Sequence, residues 1–247
     1  MEHREYSSWV CSSNMQSSLL NENPGKWEKI MKKKKLQALF FDFDGVIIDS
    51  ARIKTEGFRT LFDSFSDQIV DKIVDYHQQH GGISRVDKIA YAFQNFIKQP
   101  LSQAELDLWS TRYSDLVVEK VIDAQWIAGA KEFLEEMHGK IPIFVISGTP
   151  ETELRYVLKK RLISFYFQEI LGSPMRKPQH IRNLLRQYFL NPDQCVFVGD
   201  ALTDYNAAKD TGLHFVGIQG ENKFPRGTTV LDNCNGLLQS LMVCVTC

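Results

Sequence analysis

Short apolar runs alternate with amphipathic stretches along most of the chain. Four mostly apolar runs are bounded by charged residues, Gly or Pro, as buried strands are: residues 38–41, 141–146, 195–198 and 214–218. A shorter apolar pair at 170–171 predicts one more strand. Between the later runs, apolar residues three or four positions apart predict helices at 128–137, after 149–151, at 178–188 and at 202–210. This alternation predicts an α/β fold in which a parallel sheet carries helices on both faces.

Residues 50–124 break this alternation. Helical spacing of apolar residues repeats there in three stretches, at residues 53–65, 69–74 and 86–97. Ser102, followed three residues later by Glu105, has the form of a capping box and predicts the start of a fourth helix. Because no strand-like run interrupts this block, we predict a helical cap at 50–124, inserted into a core formed by residues 36–49 and 125–247.

The first 35 residues have a different composition. They are rich in Ser, Asn, Gln and Glu, and they are predicted to form a disordered tail at 1–35. Met31 precedes four lysines and has the form of a true start, so residues 1–30 are expected to be dispensable. No stretch in the tail or elsewhere approaches the roughly 18 apolar residues that a membrane span requires.

Composition excludes several classes of partner. Hydrophobic residues make up 43% of the 247 residues, charged residues 24%, and the net charge is −1. The absence of a basic surplus argues against nucleic acid as a partner. The five cysteines are odd in number and have no motif spacing, which favours neither a disulfide framework nor a zinc site. A reducing, cytoplasmic location is the resulting expectation.

Acidic residues follow two of the predicted strands. Asp42 and Asp44 come at the end of the first strand, and Asp200 and Asp204 follow the strand at 195–198. Ligands of open α/β sheets bind at the carboxyl ends of strands, so these side chains would converge if the two strands are neighbours. Two carboxylates about 4 Å apart repel by roughly 4 kcal/mol at an effective dielectric of 20. Either some are protonated or a dication lies among them, and ligands that are all oxygen favour Mg²⁺.

Four sequence segments together resemble a known family. FDFDGVIIDS at 41–50, PIFVISGT at 142–149, Lys177 in RKP, and VFVGDALTD at 196–204 occur in the order found in the haloacid-dehalogenase-like (HAD) phosphohydrolase superfamily. The resemblance is to its phosphoglycolate phosphatase and β-phosphoglucomutase-like branch, and it implies a Rossmann-like core with a helical cap. It also implies a small phosphorylated substrate and a Mg²⁺ cofactor.

The resemblance assigns roles to the acidic residues. It implies that Asp42 is the nucleophile that forms an aspartyl-phosphate and that Asp44 is the general acid and base. Asp42 and Asp200 would bind the metal through their side chains, Asp44 through its backbone carbonyl, and Asp204 would support the metal's waters. We expect the carboxylate neighbouring Asp44 to raise its pKa, as suits an acid.

The resemblance also assigns a phosphate-binding site. Ser147, together with the backbone N–H groups of Gly148 and Thr149 where a helix begins, is expected to bind the phosphoryl oxygens. Lys177 is expected to add positive charge opposite Asp42.

The cap contributes a second resemblance. Residues 82–88, GISRVDK, are similar to the specificity loop of β-phosphoglucomutase-like members, in which the Arg approaches the distal anionic group of the substrate. Arg85 is the corresponding residue here. Lys54 stands where the mutases carry a His, ten residues after the second Asp. Lys54 and Arg85 together would suit a substrate with a second negative charge, such as a phosphorylated sugar acid or a small phospho-acid.

Three functions are compatible with these residues. The first is a Mg²⁺-dependent phosphatase acting on a small phosphorylated metabolite, which the acidic residue at Asp44 favours over a dehalogenase. The second is a phosphosugar mutase, and the third, of another class, is a catalytically silent binding or regulatory relative. Separately, the last four residues from Cys244 have the form of a prenylation box, but the final Cys is not typical and a helix end is the favoured interpretation.

Overall fold

The computed structural model describes residues 36–221 and 223–244, with side chains up to residue 241. The predicted tail at 1–35 lies outside the described residues, as do the three residues that follow Cys244. Within the described ranges, no helix is both long and apolar enough to cross a membrane.

Six parallel strands form one sheet. Their bounds are β1 Ala38–Phe41, β2 Ile143–Pro150, β3 Glu169–Ser173, β4 Cys195–Gly199, β5 His214–Ile218 and β6 Thr229–Leu231. The strand order is β3-β2-β1-β4-β5-β6, and each neighbouring pair is parallel. The order reverses between β1 and β4, the topological switch point at which doubly wound sheets bind ligands. The predicted α/β fold with a Rossmann-like parallel sheet is therefore confirmed, whereas the short edge strand β6 was not predicted.

Residues 50–124 contain the helices of the cap. Their bounds are α1 Ala51–Leu61, α2 Asp67–Gln79, α3 Arg85–Ala92, which continues into a π-helical turn at Phe93–Ile97, and α4 Gln103–Asp123. The predicted capping box is present, since Ser102 N donates to Glu105 Oε2 at 2.7 Å and Glu105 N donates to Ser102 Oγ at 3.4 Å. These two reciprocal hydrogen bonds fix the start of α4.

Aromatic rings hold the cap helices together. The ring centroids of Phe62 and Trp109 are 5.2 Å apart, and those of Phe58 and Tyr113 are 4.7 Å apart, joining α1 to α4. Phe93 meets Trp109 edge-on at 4.8 Å. These side chains belong to an apolar core that continues without interruption into one face of the sheet, so the cap is packed against the core domain.

Five further helices cover the sheet. Their bounds are α5 Ala130–Met137, α6 Glu151–Lys160, α7 Lys177–Gln187, α8 Leu202–Thr211 and α9 Leu237–Cys244. Alternate residues of β1 pack on opposite faces: Phe41 lies in the core that contains α5 and α6, and Phe40 lies in the core that contains α7 and α8. All four residues of β1 are buried, as a central parallel strand requires.

One arginine fixes the point at which the cap rejoins the core. Arg161 follows α6, and its Nη1 donates to the carbonyl oxygens of Val121 at 3.1 Å and Ala124 at 2.8 Å, and to that of Ile122. These carbonyls lie at the C-terminus of α4, where positive charge is favourable. The cation therefore ties the last turn of the cap to the end of α6.

Candidate active site

A cavity of about 250 Å³ opens at the switch point of the sheet. Asp42, Asp44, Ser147 and Asp200 line it from the core, and residues of α1, α2 and α3 line it from the cap. Ligand pockets are commonly about 300–1,000 Å³, so the space suits a small metabolite.

Asp42 is held at the end of β1 by the sheet itself. Its backbone N–H donates to the carbonyl of Val198 in β4 at 2.9 Å, which brings the ends of the two strands together. The Lys177 Nζ atom lies 2.8 Å from Asp42 Oδ1 and 2.5 Å from Asp204 Oδ1. Asp204 Oδ2 also accepts from the backbone N–H of Ala201 at 3.1 Å, so Asp204 is fixed and in turn positions Lys177.

Three carboxylates meet at this point. Asp42, Asp200 and Asp204 each offer an oxygen, and these three atoms lie within 4.8 Å of one another. Asp42 Oδ1 is buried and makes no hydrogen bond to any described residue, because the nearby ammonium of Lys177 is not aligned with it. An all-oxygen donor set with an unsatisfied carboxylate oxygen fits a hard dication such as Mg²⁺.

Gly45 makes this convergence possible. Its φ is +75°, a conformation that side-chain-bearing residues rarely adopt, and a Cβ placed there would overlap the carboxylate of Asp200. The loop after β1 can therefore approach the loop after β4 only with glycine at this position.

The site shifts the pKa of its ionisable groups. Burial, together with the charges of Asp204 and Asp44, raises the pKa of Asp42 to about 7 against the opposing effect of Lys177. Burial and the charge of Asp42 raise the pKa of Asp200 well above its usual value. Burial alone would lower the pKa of Lys177, but the charges of Asp204 and Asp42 raise it. The cluster therefore pairs with the Lys177 ammonium and retains negative charge that a second cation could neutralise.

Asp44 lies among donors rather than among carboxylates. Ser50 Oγ donates to its Oδ1 at 2.6 Å, Thr149 Oγ1 and Ser147 Oγ donate to its Oδ2 at 3.1 and 3.2 Å, and Lys54 forms an ion pair with it. Although burial opposes charge on this carboxyl group, Lys54 and these hydrogen bonds lower its pKa. The expectation of a raised pKa was therefore wrong, because the neighbouring ammonium outweighs the neighbouring carboxylate.

The segment that was predicted to bind phosphate lies at the end of β2, beside Asp44. Ser147, Gly148 and Thr149 lie in the last part of β2, and the helix begins at Glu151 rather than at Thr149. The backbone N–H of Thr149 donates to Ser147 Oγ at 3.1 Å. Gly148 packs against the carbonyl of Gly82 in the cap, and a Cβ on Gly82 would lie 3.5 Å from Lys177 Nζ. The glycine loop of the cap therefore lies directly over the site.

Arg85 lines the cavity, but its guanidinium is already paired. Nη1 donates to Glu153 Oε2 at 2.7 Å and to Ser114 Oγ at 2.6 Å, and Nη2 forms an ion pair with Glu153 Oε1. The guanidinium carbon also lies 4.7 Å from the ring centroid of Tyr113. Binding of a substrate group by Arg85 stays a prediction, and it would require this residue to share or leave Glu153.

Two basic residues of the cavity wall were missed from the sequence. His77 in α2 and Lys88 in α3 both line the cavity, and Lys88 is only 4% exposed. Lys88 is three residues after Arg85, a spacing that places both on one helical face, and this was the available signal. Nothing in the local sequence indicated His77, because its role depends on how α2 packs against α3.

Comparison with known families identifies the class of protein. The family model of haloacid dehalogenase-like hydrolases matches residues 39–218. This match spans most of the chain and includes the acidic cluster and Lys177, and the chain therefore belongs to the haloacid dehalogenase-like hydrolases. The comparison with curated proteins gives no match.

Solved structures share the fold at low sequence identity. A predicted phosphoglycolate phosphatase from Haemophilus somnus has a TM-score of 0.66 at 19% identity, covering 83% of this chain and 98% of that chain. A predicted β-phosphoglucomutase from Bacteroides vulgatus has a TM-score of 0.69 at 13% identity, covering 91% and 100%. CbbY from Rhodobacter sphaeroides, solved with phosphate, has a TM-score of 0.65 at 17% identity, covering 81% and 96%. At these identities the likeness establishes the fold alone.

Proposed function

We propose that this protein is a Mg²⁺-dependent phosphatase that hydrolyses a small phosphorylated metabolite through an aspartyl-phosphate on Asp42. The observation that carries the proposal is the position of Asp42. Its carboxylate lies at the switch point, beside Lys177 and within reach of Asp200 and Asp204, in a cavity that the cap covers. Phosphoryl transfer needs an aligned nucleophile together with positively charged groups that contact the phosphoryl oxygens.

The acidic cluster would hold the metal. Asp42 and Asp200 would supply side-chain oxygens, and Asp204 lies close enough to support the metal's waters. The family resemblance adds the backbone carbonyl of Asp44 as a further ligand. When bound, Mg²⁺ supplies charge neutralisation at the phosphoryl oxygens, which lowers the barrier to attack by an anionic nucleophile.

In the first half-reaction, a carboxylate oxygen of Asp42 attacks phosphorus and the bond from phosphorus to the ester oxygen breaks. Asp44 donates a proton to the departing oxygen, which leaves as an alcohol. Lys177, and the hydroxyl and N–H groups of residues 147–149, contact the phosphoryl oxygens during transfer.

In the second half-reaction, Asp44 removes a proton from a water molecule and the resulting hydroxide attacks phosphorus. The bond from phosphorus to Asp42 breaks, releasing inorganic phosphate and restoring both carboxyl groups to their starting protonation states. One residue thus serves as acid and then as base.

Because of Lys54, the protonation state of Asp44 would depend on whether substrate is bound. Lys54 pairs with Asp44 and also donates to Thr149 Oγ1 at 2.6 Å. A phosphate ester entering the cavity would compete for this ammonium and add negative charge near Asp44, and both effects favour protonation of Asp44. Asp44 would therefore become a protonated general acid when substrate is bound.

The test is hydrolysis of p-nitrophenyl phosphate by the purified protein. We expect activity that requires Mg²⁺, that is removed by chelation and restored by Mg²⁺, and that Asp42→Asn abolishes. Asp75→Asn, an exposed carboxylate of the cap with no hydrogen bond to a described residue, is the matched control and is expected to keep full activity. Activity that survives chelation or Asp42→Asn would contradict the proposal.

A phosphosugar mutase is the second candidate, favoured by the shared fold with a predicted β-phosphoglucomutase. A mutase must keep water from the aspartyl-phosphate until a second acceptor arrives. Isomerisation of a sugar phosphate that requires a sugar bisphosphate would identify it, whereas release of inorganic phosphate from the same substrate supports the phosphatase. The silent relative is disfavoured because all the transferred catalytic positions are occupied by the expected residues.

A further inference from the structure

Three cations of the cap reach the cavity, and two are neutralised by carboxylates. Lys54 pairs with Asp44, and Arg85 pairs with Glu153 through both terminal nitrogens. Each already has a carboxylate counter-charge, which weakens its attraction for an anionic group of the substrate.

Lys88 is the third cation, and its surroundings differ. Its Nζ atom lies 3.1 Å from His77 Nδ1 and 3.2 Å from the carbonyl oxygen of His77. Among the described residues, no carboxylate oxygen lies within 4.0 Å of this ammonium. A lysine ammonium has three N–H donors, and His77 accepts two of them. One donor of Lys88 is therefore left without a partner at the wall of the cavity.

His77 is suited to support this cation. It is packed against the Phe58 ring at a centroid distance of 4.3 Å, and burial together with the charge of Lys88 lowers its pKa to about 2. A neutral imidazole can accept at Nδ1, so His77 orients Lys88 and adds no positive charge of its own. A buried ammonium held by two neutral acceptors has a large unmet demand for an anion.

We propose that Lys88, oriented by His77, binds a second anionic group of the substrate, and that it makes the enzyme selective for phosphate esters that carry a carboxylate or another anion at their far end. The inference rests on the proposed phosphatase activity. It also changes which residue recognises the second charge, since Arg85 and Lys54 are paired with carboxylates and Lys88 is not. The small cavity limits such substrates to a short carbon chain between the two anionic ends.

The experiment uses matched pairs of phosphate esters. Phosphorylated hydroxy acids of two, three and four carbons are compared with their neutral amides, which have nearly the same shape without the charge. For the native protein we expect kcat/KM for the best acid to exceed that for its amide by at least tenfold. Lys88→Met is expected to reduce this preference to below twofold, mainly by raising KM for the acid.

Two further variants separate charge from packing. Lys72→Met removes an exposed lysine of α2 and is expected to leave the preference for the acid unchanged. Lys88→Gln keeps a polar side chain without the charge and should behave like Lys88→Met. The rate on p-nitrophenyl phosphate, which has no second charge, is expected to be unchanged in Lys72→Met, and the two Lys88 variants should lose less activity on it than on the phosphorylated acids.

Each result has one meaning. Equal rates for every acid and its amide in the native protein, or a preference that survives Lys88→Met, would overturn the inference. Absence of any Mg²⁺-dependent hydrolysis of p-nitrophenyl phosphate would instead refute the phosphatase activity. In that case calorimetric binding of the same acids and amides still tests Lys88, because the binding preference for the acid should disappear in Lys88→Met.

Discussion

Arg85 in the cap and Glu153 in the core form a two-pronged ion pair, with Arg85 Nη1 2.7 Å from Glu153 Oε2 and Arg85 Nη2 bonded to Glu153 Oε1. Ser114 Oγ donates to Glu153 Oε2 at 2.6 Å and adds a second cap residue to the same carboxylate. The two charged side chains are only 4% and 11% exposed. A pair this buried is held strongly once formed, and it joins α3 and α4 of the cap to α6 of the core.

Glu153→Gln is predicted to destabilise the protein, because it leaves the buried guanidinium of Arg85 without its counter-charge. Breaking such a pair costs about 3–5 kcal/mol of unfolding free energy. Urea unfolding measures the change. The control is Glu151→Gln, which breaks the exposed pair with Arg155 in the same helix and should cost less than about 1 kcal/mol. Equal losses of unfolding free energy in the two variants would show that the Arg85–Glu153 pair does not stabilise the packing of the cap on the core.

Lys177→Met is predicted to lower both activity and stability. The substitution leaves the buried carboxylates of Asp42 and Asp204 facing each other without a cation, and an uncompensated buried charge costs about 3–5 kcal/mol. Added Mg²⁺ should therefore raise the thermal midpoint of Lys177→Met more than that of the native protein. Lys209→Met, at an exposed position of α8, is the control, and an equal response to Mg²⁺ in both variants contradicts the argument.

Lys54 is predicted to act through Asp44. Asp44→Asn should lower kcat by about 10²–10⁴, the usual contribution of a general acid or base. If Lys54 acts by setting the protonation and position of Asp44, Lys54→Met lowers kcat on p-nitrophenyl phosphate. The double variant Lys54→Met with Asp44→Asn then has the same kcat as Asp44→Asn alone. If Lys54 instead binds the second charge of the substrate, Lys54→Met raises KM for phosphorylated acids and leaves kcat unchanged. Steady-state kinetics on the two single variants and the double variant decide between them.

Replacing Lys88 is predicted to increase stability in a pH-dependent way. Burial and the charge of Lys54 lower the pKa of Lys88 from near 10.5 to about 7. His77 contacts it, and Lys54, Asp44, Asp200 and Glu221 are the charged groups that act on it. Below pH 7 the folded and unfolded chains both protonate Lys88, so the full cost of the buried charge is present. Between pH 7 and 10.5 the unfolded chain binds more protons, and this cost is lost as the pH rises.

Lys88→Met should therefore be more stable than the native protein by an amount on the order of a few kcal/mol at pH 6, and by clearly less at pH 9. Urea unfolding at the two pH values measures this difference, and Lys72→Met should show no such gap. A Lys88→Met protein that is less stable than the native one at pH 6 would mean that the ammonium is already compensated. Gain of stability with loss of substrate preference is the expected behaviour of a residue retained for binding.

The sequence predicted the parts of the site that depend on chain neighbours. Asp42 and Asp44 could be placed at a strand end because the apolar run before them and Gly45 after them are local features. The capping box at Ser102 was predictable for the same reason. The pairing of β1 with β4, which brings Asp200 to Asp42, was only a condition of the predicted convergence, and the sheet meets this condition.

Long-range pairings were not predictable. Glu153 is one of two acidic residues at the start of α6, and only the packed structure shows that it faces Arg85. The lowered pKa of Asp44 depends on Lys54 in another helix, and local spacing suggested the opposite shift. His77 and Lys88 meet because α2 and α3 are packed together, which no periodicity within either helix indicates.

The close approach of Gly82 to Gly148 has a consequence for how this enzyme can be inactivated. The two backbones touch where the cap meets the end of β2, and a methyl group on Gly148 would overlap the carbonyl of Gly82. Such a methyl group would hold the two lobes apart and admit solvent to the aspartate cluster while every reacting side chain remained in place. Damaging variation in this protein can therefore arise at positions that have no reacting side chain.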